Sequence, residues 1–90
     1  MSEIALLDVF EGMPDNRRKQ GKRHSLPLCL ALFTLAVAAG NQGFLAMGDW
    51  LKSYGEQLMA LFKVDRLPSY STIRRTLLFV DYEEYSVRLA

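Results

Sequence analysis

Two short stretches of this 90-residue chain concentrate the side chains that could do chemistry. The first is the run Arg17, Arg18, Lys19, Lys22, Arg23 and His24, five cations and one titratable ring within eight residues. It lies on a polar segment from Asp15 to His24, with Gly21 as a flexible point, and reads as an exposed loop. Cations on such a loop suit phosphate contacts or insertion into a minor groove, and a merely solvated basic loop is the alternative. The second stretch runs from Lys63 to Thr76, where Lys63, Arg66, Arg74 and Arg75 outweigh Asp65 and give +3. The run around Gly21 carries +5, so a chain of net charge +1 has −7 left for everything else. Two cationic patches on an acidic body form a footprint suited to a polyanion.

Other chemistries find little support. One cysteine and one histidine cannot build a disulfide or a structural zinc site. Cys29 sits in the apolar run Leu28 to Val37, where a thiol behaves as a small hydrophobe. The acids are scattered, no nucleophile occupies a recognisable elbow, and Gly40-Asn41-Gln42-Gly43 lacks both a preceding strand and the Lys-Ser/Thr of a phosphate cradle. The expectation is a chain without catalytic site, metal or cofactor.

The elements that must position the basic residues read as helices, because no stretch alternates with period two for long enough to make a strand. Ser2 caps a short amphipathic helix carrying Ile4, Leu6, Leu7 and Phe10, which Gly12, Met13 and Pro14 end. Ser25 caps a second helix with Pro27 in its first turn and a stop at Gly40. That helix is apolar on every side, so the others are expected to pack around it. Phe44, Leu45, Met47, Trp50, Leu51 and Tyr54 form a third, interrupted at Gly55 before Leu58, Leu61 and Phe62 resume the pattern. Lys63 to Pro68 is a turn, Ser69 or Ser71 caps a helix through Val80, and Asp81 with Glu84 makes a capping-box-like start for the last. The fold class is all-α: a small bundle of four to six helices, one domain spanning 1–90, with a candidate helix-turn-helix in the C-terminal half.

On a helical wheel, Tyr70, Ile73, Leu77 and Val80 share one side, whereas Ser71, Thr72 and Arg75 face the other, with Arg74 at the boundary. Hydroxyls and arginines at the N-terminal end of a helix are the residues a recognition helix presents to base edges. The plainer reading has Ser71 and Thr72 capping and the arginines solvated. Leu78 and Phe79 fall on the Arg75 side, where a free helix is normally polar. The last helix with Tyr82 and Tyr85, a catalytic domain, or a second copy could cover them, which makes Leu78, Phe79, Tyr82 and Tyr85 candidate interaction residues.

The most apolar stretch, Leu26 to Ala39, has 14 residues where a membrane span needs about 20. A secretory signal would stand at the very start of the chain. The expected location is therefore cytoplasmic.

Asp15-Asn16-Arg17-Arg18, Gly21-Lys22-Arg23-His24 and the apolar helix closing at Ala39-Gly40, followed by Leu67-Pro68-Ser69-Tyr70-Ser71-Thr72-Ile73-Arg74-Arg75, resemble the opening and closing patterns of a known domain. It is the N-terminal, transposase-associated domain of DDE-type insertion-sequence transposases, in the group that includes the H-repeat-associated proteins. Ser25 stands where that family commonly has proline. The resemblance implies a module for DNA binding or assembly in transposition, truncated before the catalytic domain whose three carboxylates would hold two metals. Its implied partners are DNA at insertion-sequence ends, a catalytic transposase chain or a second copy, and no membrane. The residues implied for DNA are the basic run Arg17, Arg18, Lys19, Lys22, Arg23 and His24, together with Ser69, Ser71, Thr72, Arg74 and Arg75. An interaction module that does not bind DNA is the competing reading.

Overall fold

Six helices follow one another in the computed structural model, which describes residues 3–15, 17 and 24–89: α1 (Glu3–Val9), α2 (Leu26–Ala38), α3 (Phe44–Ser53), α4 (Gly55–Phe62), α5 (Tyr70–Leu77) and α6 (Tyr82–Leu89). The described residues include no strand, and the all-α expectation holds. The cap expected at Ser2 lies outside the described residues.

Helix α2 is central because it has no polar side to turn to solvent. Leu28, Cys29, Leu30, Ala31 and Leu32 are all buried, and α1 and α5 pack directly against it. Ser25 caps it, its hydroxyl accepting from the Leu28 amide at 3.2 Å, and Pro27 occupies the first turn. At the other end Gly40 adopts φ +91°, which allows paired bonds from Asn41 to the Ala36 carbonyl and from Gly40 to the Val37 carbonyl. That is a Schellman stop, formed where the sequence predicts one.

Helices α3 and α4 are separated by one residue, Tyr54, and the bonding resumes at once with Leu58 donating to the Tyr54 carbonyl at 2.8 Å. Helix α4 ends on Lys63 in the left-handed region, at φ 57°. Helix α3 packs on α4 and α5, and α1 on α2 and α4. The shared core joins Phe10, Leu30, Leu32, Leu51, Leu58, Phe62 and Ile73, and each such fully buried side chain contributes about 1.5–3 kcal/mol.

Helix α5 is shorter than expected: beyond Leu77 the amides of Leu78, Phe79 and Val80 bond three residues back, and this tightened turn leaves Val80 outside the helix. Asp81 then caps α6 by accepting from the amides of Glu83 and Glu84. The reciprocal half of the expected capping box is not formed, since the Glu84 carboxylate pairs with Arg88 at 2.9 Å. Arg88 also donates to the carbonyls of Val9 and Glu11, placing a cation against the C-terminal end of α1. Helix α6 is anchored by its middle. The Tyr85 ring stacks on Phe10 with centroids 5.3 Å apart and planes 2° from parallel, and its hydroxyl lies 2.7 Å from that of Thr34.

Candidate nucleic-acid interface

Helix α5 owes its start to Pro68, which is buried and rigid, and to Ser69, whose Oγ accepts from the Thr72 amide at 3.2 Å. Ile73 and Thr76 turn inward, while Ser71, Arg74 and Arg75 are exposed. Neither arginine has an ion-pair partner among the described residues. Thr72 departs from expectation: it is half-buried and its hydroxyl lies 3.2 Å from that of Ser69, so it belongs to the cap rather than to the free face.

The approach to α5 differs from a helix-turn-helix in two respects. Residues 63–69 make a connection of seven residues, where that motif has a turn of about three or four. The main neighbours of α5 are α2 and α3, not α4. Between α3 and the start of α5 opens a groove of about 510 Å³, with Lys52, Asp49 and Leu45 on one wall and Ser69, Tyr70 and Ser71 on the other. Lys52 thus joins the surface around α5. Nothing in its own sequence neighbourhood marks it, since only the α3–α5 packing brings it there.

The first basic stretch is divided. Arg18, Lys19, Lys22 and Arg23 lie outside the described residues. Arg17 is described, and it corrects the expectation of an exposed cation: its side chain is 3% accessible. The Asp15 carboxylate receives Nε and Nη2, each at 2.8 Å, and the Arg17 backbone amide at 3.1 Å. Nη2 also donates to the His24 carbonyl at 2.9 Å, and Nη1 to Thr76 Oγ1 at 3.4 Å. The Thr76 hydroxyl in turn donates to the Thr72 carbonyl at 2.9 Å. A guanidinium offers five donors in a planar fork, and here three separate segments supply its acceptors. Hydrogen bonding to Asp15 holds the Arg17 pKa above its ordinary value against the opposing effect of burial. Neighbouring Cys29 is fully buried, as expected, and burial pushes its thiol pKa up. His24 is half-buried.

Sequence reasoning missed Asp15 and Thr76. Thr76 could have been found on the wheel, where it lies about 60° from Ile73 on the buried side.

The candidate interaction residues also divide. Leu78 and Tyr82 are 78% and 77% exposed, and Phe79 is exposed as well. Tyr85 is not among them, because stacking on Phe10 turns it into the core. Helix α6 therefore leaves Leu78 and Phe79 uncovered.

No described helix is long and apolar enough to cross a membrane, and no cluster of metal-ligating side chains occurs among the described residues. Neither the curated proteins nor the solved structures contain a match to the chain. A family model described as DDE_Tnp_1-associated does match, and it covers residues 7–90. That region accompanies the catalytic domain of DDE transposases and is distinct from it, so by a match over nearly its whole length the chain belongs to the DDE_Tnp_1-associated family.

Proposed function

We propose that the chain is the DNA-binding module of an insertion-sequence transposase, acting in the cytoplasm on the ends of the element. Strand cleavage and transfer fall to a DDE catalytic domain. The observation that carries this reading is the exposed side of α5, where Ser71, Arg74 and Arg75 face outward and neither arginine has an ion-pair partner among the described residues, while Ile73 and Thr76 bury the other side. Arginines there reach phosphates or guanine edges, and the five-cation run, less the buried Arg17, adds sequence-independent attraction. Fluorescence anisotropy against random duplex and against candidate element ends tests it. Each phosphate neutralised contributes about −0.9 to the slope of log K against log salt, so Arg74→Ala with Arg75→Ala should flatten the slope by about 2. Binding that ignores both salt and these substitutions refutes the proposal.

A second reading, an interaction module, is favoured by one observation: Leu78, Phe79 and Tyr82 are large apolar side chains, close in sequence, that no described element covers. In that case Leu78→Glu with Tyr82→Glu abolishes association with a second copy or a catalytic chain in sedimentation and leaves DNA affinity intact.

A further inference from the structure

The buried guanidinium of Arg17 reaches the inner side of the helix whose outer side carries Arg74 and Arg75. Its Nη1 donates to Thr76 Oγ1 at 3.4 Å, across 59 residues of sequence. The Thr76 hydroxyl donates to the Thr72 carbonyl at 2.9 Å, and the Thr72 amide donates to the Ser69 cap at 3.2 Å. A line of hydrogen bonds therefore runs along α5 from its last turn to its N-cap. Its far end is fixed by a guanidinium that Asp15 holds with two bonds of 2.8 Å. Helix α2 meets the same pair: burial raises the pKa of the Cys29 thiol, and hydrogen bonding with Thr76 and Arg17 opposes that rise.

Ile73 and Leu77 pack α5 on the core, but apolar burial is non-directional and fixes rotation about the helix axis only loosely. A hydrogen bond has a preferred angle as well as a distance. Thr76 follows Arg75 by one position, roughly 100° around the axis, so the angle at which Thr76 is held sets the angle at which the arginines emerge. Stability alone gives little reason to keep the buried pair, since a well-packed apolar pair is often as good; a unique arrangement is what the pair adds. We infer that Arg17 is a positioning residue for α5, fixing through Thr76 the rotation at which the helix presents Arg74 and Arg75 to DNA. The inference rests on the DNA-binding reading above.

The test is a double-mutant cycle on DNA affinity. The probe is a duplex that the wild-type protein selects from a randomised pool, and circular dichroism verifies that each variant is folded at the assay temperature. Thr76→Val keeps the shape of the side chain and removes the hydroxyl, whereas Thr76→Ser keeps the hydroxyl. Thr76→Val should weaken binding about tenfold and Thr76→Ser should restore it. Once Arg74→Ala and Arg75→Ala are present, Thr76→Val should cost nothing further, because it acts only through them. A merely structural Thr76 leaves the affinity of folded protein unchanged, or lowers it equally in both backgrounds, and either result overturns the inference. If Thr76→Val fails to fold, Asp15→Leu with Arg17→Met decides, since it removes the hold on Thr76 without leaving a charge unpaired. Wild-type affinity in that variant overturns the inference. Wild-type binding that ignores both salt and the α5 arginines sinks the DNA reading and this inference with it, whereas binding that responds to both but not to Thr76→Val overturns this inference alone.

Discussion

Replacing Asp15 with Asn keeps the shape of the side chain and removes the charge opposite a guanidinium that is 3% exposed. Asn offers one acceptor oxygen where Asp15 now receives three bonds, and its amide would turn donors toward Arg17. Breaking one side of a fully buried pair costs about 3–5 kcal/mol. The Asp15 side chain is 25% exposed, so solvent screening recovers part of this, and about 2–3 kcal/mol is expected. At roughly 0.05–0.15 kcal/mol per residue a domain this small has little to spare, and Tm should fall on the order of 10–20 °C. Urea and thermal melts followed by Trp50 fluorescence and circular dichroism measure it. Glu84→Gln supplies the contrast, since the Glu84–Arg88 pair is 39% and 26% exposed and should cost no more than about 0.5 kcal/mol. Asp15→Leu with Arg17→Met should recover most of the loss, because removing both charges leaves none unpaired. The reasoning fails if Asp15→Asn matches Glu84→Gln, or if the double variant is no better than the single.

Tyr85→Phe should cost about 1 kcal/mol by losing the hydroxyl contact with Thr34, and Tyr85→Ala about 3–5 kcal/mol by removing the ring stacked on Phe10; equal losses in urea melts would contradict the stacking. Lys63→Gly should raise Tm by about 2–4 °C, because relief of the left-handed backbone slightly exceeds the chain entropy glycine adds to the unfolded state, and a lower Tm would contradict it. Cys29 has a folded-state thiol pKa above the ordinary value, so its contribution is complete below about pH 8.5 and lost as pH rises through the folded value. The alkaline drop in urea midpoint should therefore be smaller in Cys29→Ala than in wild type, and equal drops would exclude the thiol as its source.

The helical frame was legible because its signals are local. Ser25, Pro27 and Gly40 bracket α2 through bonds spanning no more than five residues, and the spacing of Phe44 to Phe62 predicted both α3–α4 and the break near Gly55. The centrality of α2 could be read from composition alone, because an all-apolar helix has only one place to go. Boundaries were less legible where two local patterns compete. Val80 keeps helical spacing with Ile73 and Leu77, yet the bonds tighten to three-residue spacing one turn earlier.

The site was harder to read, and Arg17 and Tyr85 show why. A run of cations reads as solvated because unpaired charges avoid the interior, so the rule sets every member of the run outside. It gives way at Arg17 because an acid two residues away, a carbonyl seven away and a hydroxyl 59 away converge on a single guanidinium. Only the first of these lies within reach of local inspection. Tyr85 fails in the opposite sense: the sequence groups it with Tyr82 as a candidate interaction residue, and the two sit about 60° apart on a wheel. Tyr85, in the middle of α6, reaches Phe10 and Thr34, while Tyr82 begins the helix and stays exposed. A wheel gives direction around an axis but not distance along it, and here distance along α6 separates a core residue from a surface one. The exposure of Leu78 and Phe79 follows from the same geometry, since of the two last-helix tyrosines that could have covered them Tyr85 packs on the core and Tyr82 stays exposed.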